Sequence, residues 1–311
     1  MSKSKGLVQK LGPLLGLLLI IIIISFMSPS FLTATNIFNV LRQVSISALI
    51  AFGMTFVILT GGIDLSVGST LALTGAISAG LLAGGMDPFL AMLIGLLLGA
   101  VLGAVNGFII AKGKVAPFIA TLATMTIYRG LTLVYTDGKP VSGLGDSLTF
   151  QMFGKGYFLG IPVPVITMLI AFLVLYFILR KTTFGRRVYA IGGNEEASRL
   201  SGINVDRITI AVYSLTGMLA ALSALILTSR LNSAQPTAGQ SYELDAIAAV
   251  VLGGTSLTGG RGWIFGTLVG ALIIGVLNNG LNLIGVSSFF QQVVKGVVIL
   301  IAVLIDRKKT A

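Results

Sequence analysis

The sequence predicts an all-α fold, a polytopic bundle of transmembrane helices. Hydrophobic residues make up 55% of the 311 residues and charged residues only 10%, whereas a soluble domain carries about 25% charged residues. The mean hydropathy is +0.99. Glycine supplies 40 residues without a collagen-like period, which is typical of helices that pack closely within a membrane.

About ten stretches qualify as membrane spans, because a helix needs roughly 20 apolar residues to cross a bilayer. In chain order they lie near 11–27, 44–60, 65–84, 88–110, 115–135, 164–180, 208–229, 244–258, 262–284 and 287–305. No A-x-A cleavage site follows the first stretch, so we interpret it as an uncleaved span rather than a signal peptide. The eighth is short and glycine-interrupted, which indicates a broken or re-entrant helix.

The basic residues predict the orientation of these spans. With the N-terminus inside, 15 of the 21 Lys and Arg residues fall on the inner side and four on the outer side. Such a bias is typical of cytoplasmic loops. We therefore expect both termini in the cytoplasm and a single transmembrane domain over residues 1–311. Basic residues on cytoplasmic loops also account for the net charge of +11. We therefore expect no nucleic-acid partner.

Several classes of chemistry are excluded by composition. The chain has no histidine and no cysteine, so it has no Ser-His-Asp triad, cysteine nucleophile or His/Cys metal site. It also has no GxxxxGK[ST] phosphate loop. We therefore expect no enzymatic activity, bound metal or cofactor in this chain. The energy for uphill transport would come from an ion gradient or from another polypeptide.

Two glycine-interrupted stretches resemble each other. Residues 57–76 and 250–271 each join an apolar run to a Gly-Gly break and then to a second apolar run. Duplicated halves with discontinuous helices are typical of transporters, but apolar glycine-rich strings also resemble one another by chance. The glycines of these breaks are candidates for a translocation path or gate: Gly61, Gly62, Gly253 and Gly254.

Polar groups in or near the spans need solvent or partners. Asp64 either lies at the inner mouth of a path or, with Ser66, caps the third span. Arg129 and Lys295 require partners, for which Glu243 and Asp245 are candidates, although these carboxylates could instead meet basic residues of an external protein. Three amides of the ninth span either bond neighbouring helices or contact hydroxyl groups of a substrate: Asn278, Asn279 and Asn282.

Another repeated pattern predicts helix packing rather than substrate contact. Gly95, Gly99, Gly103 and Gly107 recur every four residues along the fourth span. They form a smooth face on which a neighbouring helix can approach closely.

The cytoplasmic loop 181–207 predicts a short helix from Glu195 to Ser201. Asn194 is a good N-cap, and Glu195 and Glu196 suit the first turn. Arg199 suits the last turn, and Gly202 suits the position after it. A helix this short is marginal in water, so we expect either docking to a partner through Ala197, Leu200 and Ile203, or a solvated loop that only sets topology.

The segment GRRVYAIGGNEEASRLSGINV closely resembles the coupling-loop signature in permeases of ABC importers for sugars and branched-chain amino acids. Three more segments are similar to the ribose members of that family: TGGIDLSVGSTLALTGA, SAQPTAGQSYELDAIAAVVLGGTSLTGG and NNGLNLIGVSS. The resemblance covers nearly the whole chain. It implies import of ribose or a related monosaccharide across the bacterial inner membrane.

The same resemblance implies partners. Such permeases form homodimers around a central path, receive sugar from an extracytoplasmic binding protein and are driven by a cytoplasmic subunit that binds ATP and Mg. The resemblance assigns coupling to the short helix, through Asn194, Glu195, Glu196, Ala197, Arg199, Leu200 and Gly202. The alternative is an ion-coupled secondary sugar transporter, suggested by the charges at Asp64, Arg129 and Lys295.

Overall fold

A computed structural model of the chain describes residues 2–145 and 147–310, with side chains described for 12–145, 147–298, 300 and 304. The terminal basic side chains used above for orientation lie outside the described side chains: Lys3, Lys5, Lys10, Arg307, Lys308 and Lys309.

Helices dominate the described part of the chain, and two short strands form a hairpin. The helices are α1 (Ser2–Met27), α2 (Ala34–Leu59), α3 (Val67–Ala83), α4 (Pro88–Gly113), α5 (Pro117–Thr136), α6 (Leu148–Lys155), α7 (Val163–Lys181), α8 (Thr183–Gly193), α9 (Glu195–Leu200), α10 (Val205–Leu231), α11 (Tyr242–Leu252), α12 (Ile264–Leu283) and α13 (Ser288–Thr310). The antiparallel strands are β1 (Tyr157–Phe158) and β2 (Ile161–Pro162).

The structure is that of a helical membrane protein. Six helices of the described chain are long and apolar enough to cross a membrane, namely α2, α4, α5, α7, α10 and α12. The apolar stretch of α1, at Gly12–Met27, and the whole of α3 are shorter. Each of the ten predicted spans overlaps a helix, and the eighth extends beyond the end of its helix. The number of membrane crossings stays a prediction.

Two helix boundaries differ clearly from those of the predicted spans, at the start of α2 and at the end of α11. Helix α2 begins at Ala34, well before the predicted span, because the Thr33 side chain accepts a hydrogen bond from the Asn36 amide and caps the helix. Its polar first turns lower the local hydropathy without ending the helix. Helix α11 ends at Leu252, and residues 253–263 continue as a non-helical segment.

Helix α2 lies at the centre of the bundle. From Ala48 to Leu59 every residue is buried, which is the pattern of a helix surrounded by other helices. Its aromatic side chains meet neighbours on two sides: the Phe52 and Phe172 rings are 5.8 Å apart, and the Phe56 and Phe184 rings are 6.3 Å apart. The hydrophobic core therefore extends from α2 to α7 and α8.

The glycine stripe of α4 packs directly against α10, so its interpretation as a packing face is confirmed. A methyl group at Gly103 would overlap the carbonyl oxygen of Tyr213, and one at Gly99 would overlap the Gly217 carbonyl and the Ala221 methyl. Because the obstructing atoms include backbone, they cannot move aside as a side chain would. The two helices are therefore in backbone contact.

Replacing Gly103 by alanine is expected to destabilise the protein, since overpacking a filled contact costs about 1–3 kcal/mol. The midpoint of thermal unfolding in detergent should fall by several degrees, at roughly 2–4 °C per kcal/mol. Gly113→Ala, the same change on the same helix, is the control because its new methyl would meet only side-chain atoms at ordinary distances. Equal midpoints for the two variants would contradict the packing.

Candidate functional site

The short helix of the predicted cytoplasmic loop is present and capped as expected. Helix α9 runs from Glu195 to Leu200, and Asn194 Oδ1 accepts a hydrogen bond of 2.8 Å from the Ala197 amide. Glu195 and Glu196 lie in its first turn, and Gly202 follows with a φ of +81°. The predicted helix is confirmed to within one residue, since Ser201 is its C-cap. Its role in coupling stays a prediction.

The exposed side of α9 carries part of the predicted apolar face. Leu200 is 84% exposed, and Ala197 is exposed beside it. Ile203 is half-buried and packs against the hydrophobic core instead. The face open to a partner is therefore Ala197 and Leu200, surrounded by the exposed charges of Glu195, Glu196 and Arg199.

Helix α8 was missed by the sequence reasoning, which treated residues 181–193 as loop. Val188 and Ile191 are buried, and Phe184 packs against the core. The Thr182 side chain accepts a hydrogen bond from the Gly185 amide and caps the helix. The signal was the helical spacing of those three apolar residues after an N-capping threonine.

The connections that contain the two predicted Gly-Gly breaks meet at the C-terminal end of α8. The Gly260 amide donates to the Leu59 carbonyl at 3.0 Å, which joins the α11–α12 connection to the end of α2. Gly192 lies against both of these residues, and Tyr189 Oη donates to the Gly262 carbonyl at 2.8 Å. The structure thus places the α8–α9 segment against both helix breaks.

The four break glycines lie in the turns that follow α2 and α11. Gly61 and Gly254 have φ of +82° and +86°, a left-handed conformation that favours glycine. Gly253 caps α11, and its carbonyl accepts a hydrogen bond from Trp263 Nε1 at 3.0 Å. Gly62 lies against the hydroxyl of Tyr213.

Asp64 is buried between α2 and α3 and is only 1% exposed. Its Oδ1 accepts hydrogen bonds from the Ser66 amide at 2.9 Å and the Ser66 hydroxyl at 2.7 Å, and Asn106 donates to that hydroxyl at 2.7 Å. Ser66 occupies the N-cap position of α3, in agreement with the capping interpretation, but its side chain makes no capping hydrogen bond. Asp64 instead fixes the turn that precedes the helix.

Two of the three candidate asparagines of α12 bond to neighbouring helices. Asn279 and Asn36 of α2 exchange two side-chain hydrogen bonds, of 2.8 and 2.9 Å. Asn282 Oδ1 accepts a bond of 2.8 Å from Gln291 of α13. Asn278 Oδ1 is buried without a hydrogen-bond partner among the described residues. These contacts favour the helix-to-helix interpretation.

Of the two intramembrane cations, Lys295 forms an ion pair with a predicted partner, whereas Arg129 bonds to backbone carbonyls and has the candidate Glu243 nearby in the same cleft. Lys295 Nζ lies 2.9 Å from Asp245 Oδ2, which confirms that candidate pair. Arg129 Nη1 donates to the carbonyls of Pro236 and Ala238 at 2.6 and 2.8 Å. Arg129 therefore holds the segment that leads into α11.

A cleft of about 680 Å³ with both polar and apolar lining lies beside Arg129. It is bounded by the start of α3, the middle of α5, the segment entering α11 and part of α13. Its lining residues are Ser69, Met125, Thr126, Arg129, Gly130, Leu133, Gln240, Ser241, Glu243 and Gln292. None of the predicted path residues lines it. The cleft offers hydroxyls, amides, a guanidinium and a carboxylate, which are groups that hydrogen-bond a polyhydroxylated molecule.

A cluster of charges links α9 to the ends of two other helices. Arg199 lies 3.0 Å from Glu195 Oε1 and 3.3 Å from Asp206 Oδ1. These hydrogen bonds to carboxylates raise the pKa of Arg199 above its ordinary value. Lys112 Nζ lies 2.9 Å from the other oxygen of Asp206. Asp206 was not singled out from the sequence, because its partners come from two separate segments.

Comparisons with known proteins find relatives that cover nearly the whole chain. The family described as branched-chain amino acid transport system / permease component matches residues 36–303. The ribose import permease protein of Bacillus subtilis is 70% identical over 306 residues, covering 98% of this chain and 95% of that protein. The ribose import permease protein of Haemophilus influenzae is 57% identical over 294 residues, covering 94% and 91%.

A further relative has a different printed substrate. The D-allose transport system permease protein of Escherichia coli is 44% identical over 301 residues, covering 96% of this chain and 92% of that protein. No solved structure matches the chain. Because the family match covers most of the chain and full-length relatives share up to 70% identity, this multi-pass membrane protein belongs to the family of permease components of branched-chain amino acid transport systems.

Proposed function

We propose that the chain is the permease subunit of an ATP-driven importer of ribose in the bacterial inner membrane. The observation that carries the proposal is the 70% identity to a ribose import permease protein over 98% of the chain. Relatives named for D-allose and L-arabinose share only 44% and 43%, so identity favours ribose among these monosaccharides.

The proposed topology has ten spans and both termini in the cytoplasm. It is supported by the helix positions and by the bias of Lys and Arg toward one side. Helix α11 has 11 residues, a length of about 16 Å, which is roughly half the hydrocarbon thickness. Helix α11 is therefore too short to cross the hydrocarbon region alone, as expected for the broken helix that the sequence predicts.

The cleft contains Arg129 and Glu243, and charged groups of this kind are costly to expose to hydrocarbon. We therefore place a second copy of the chain against it, so that the clefts of the homodimer face a central path. The volume of about 680 Å³ falls within the range of roughly 300–1,000 Å³ typical of small-molecule sites. Arg129 and Glu243 would contact sugar hydroxyls in transit.

The energy would come from a separate ATP-binding subunit, since this chain has no phosphate loop. That subunit would dock on Ala197 and Leu200, the exposed apolar residues of α9. Helix α8 would carry the movement to the connections at Leu59 and Gly260, which it contacts through Gly192. An extracytoplasmic sugar-binding protein would deliver the substrate to the opposite face.

Reconstitution into proteoliposomes with the ATPase and binding-protein subunits tests this function. Uptake of labelled ribose should require ATP and the ATPase subunit, and excess unlabelled ribose should compete better than D-allose or L-arabinose. An ionophore should leave uptake unchanged at constant ATP. Uphill uptake by this chain alone, or uptake abolished by the ionophore, would overturn the proposal and favour the ion-coupled alternative.

A further inference from the structure

Five charged residues from three segments form one cluster, hereafter the charge cluster: Lys112, Lys114, Glu195, Arg199 and Asp206. Asp206 is at its centre, with Lys112 Nζ at 2.9 Å, Arg199 Nη1 at 3.3 Å and Lys114 Nζ at 3.7 Å. Its side chain is only 15% exposed, while the three cationic side chains are 46–66% exposed. One carboxylate therefore holds the end of α4, the helix α9 and the start of α10 together.

Helices α4 and α10 form the rigid side of this arrangement. Their backbones touch at Gly99 and Gly103, where a methyl group would overlap carbonyl oxygens of α10. Neither helix can slide past the other without separating the backbones. A displacement of α9 that pulls on Asp206 would therefore act on α4 and α10 as one body.

Helix α9 itself has little apolar anchorage. Of its six residues only Ser198 is buried, and Leu200 is 84% exposed. If Asp206 lost its charge, Arg199 would face Lys112 and Lys114 with Glu195 as the remaining carboxylate of the cluster. The interaction between α9 and α4 would then change from attraction through a shared carboxylate to repulsion between cations.

We propose that Asp206 is a positioning residue that fixes α9 to the α4–α10 pair, so that movement of α9 is transmitted to these helices and not lost at a flexible joint. The inference rests on the proposed function, in which α9 receives the force of the ATPase. Isolated exposed ion pairs contribute little. Here, however, one carboxylate that its partners cover on several sides serves three cations from two segments.

Asp206→Asn, which keeps the size of the side chain and removes its charge, tests the proposal in the reconstituted complex. The ratio of ribose transported to ATP hydrolysed should fall by about twofold to thirtyfold, the range of coupling effects of single residues. Asp206→Glu should restore most of the ratio. Asp137→Asn is the matched control, because Asp137 also pairs with a lysine but is 87% exposed and lies at the end of α5. An unchanged ratio in Asp206→Asn would overturn the inference.

A second measurement does not depend on transport. Because the chain has no cysteine, a spin label at Leu200→Cys reports on α9 alone. In the detergent-solubilised permease the label should become more mobile with Asp206→Asn, and not with Asp137→Asn. Equal mobility in all backgrounds would show that Asp206 does not hold α9. If the wild-type complex showed no ATP-driven uptake, the proposed function would be wrong. The mobility of the spin label would still show whether Asp206 holds α9.

Discussion

Replacing Ala197 by proline is expected to reduce ATP-driven ribose uptake by at least about tenfold while ATP hydrolysis continues. The Ala197 amide donates to Asn194 Oδ1 at 2.8 Å, and this bond caps α9. Proline has no amide hydrogen, and it also disfavours helical backbone at Glu196, the residue before it. Loss of a cap costs about 1 kcal/mol, which is large for a helix of six residues.

The mechanical consequence follows from the position of α9. Its outward residues Ala197 and Leu200 are exposed, while the adjoining α8 lies against the ends of the helix breaks through Gly192. A disordered α9 could still touch a partner, but it could not transmit a directed force. We therefore expect futile ATP hydrolysis rather than loss of assembly.

The measurement is the rate of ribose uptake and of ATP hydrolysis in the same proteoliposomes. Ala197→Ser is the matched variant, because it changes the side chain but keeps the amide hydrogen that Asn194 accepts, and it should lose far less uptake. Insertion is checked by the yield of folded complex on size-exclusion chromatography. Normal uptake per ATP in the proline variant would show that α9 need not be a rigid link.

Elements that depend on residues close together in the chain could be predicted from the sequence. The spans follow from apolar runs, and the caps of α9 follow from Asn194 and Gly202, whose conformational preferences act within a few residues. The glycine stripe of α4 similarly indicated a close neighbour. The sequence did not indicate that this neighbour is α10, because pairing between distant helices depends on the whole packed bundle.

The cleft could not be predicted for the same reason. Its polar residues come from separate parts of the chain, including Ser69, Arg129, Glu243 and Gln292. Each one alone is consistent with a cap, a loop or an ion pair. The predicted path residues followed instead from local glycine and asparagine patterns, and the structure places them at helix breaks and helix-to-helix hydrogen bonds.

Breaking the Lys295–Asp245 pair is expected to give the largest loss of stability. The two groups lie 2.9 Å apart, and their side chains are 23% and 9% exposed. Asp245 Oδ1 is buried without a hydrogen-bond partner among the described residues, so Lys295 supplies the principal compensation for its charge. Removing one member of a buried pair costs about 3–5 kcal/mol, because the other charge is left without its partner.

Lys295→Met should therefore lower the midpoint of thermal unfolding in detergent by about 10 °C, at roughly 2–4 °C per kcal/mol. Lys295→Arg, which keeps the positive charge, is the control and should lose much less. The double variant Lys295→Met with Asp245→Asn should recover most of the loss, because no charge is then left unpaired. If the single and double variants unfolded at the same temperature, the loss of stability would come from the lost packing of the lysine stem. The ion pair would then not be what holds α13 to α11.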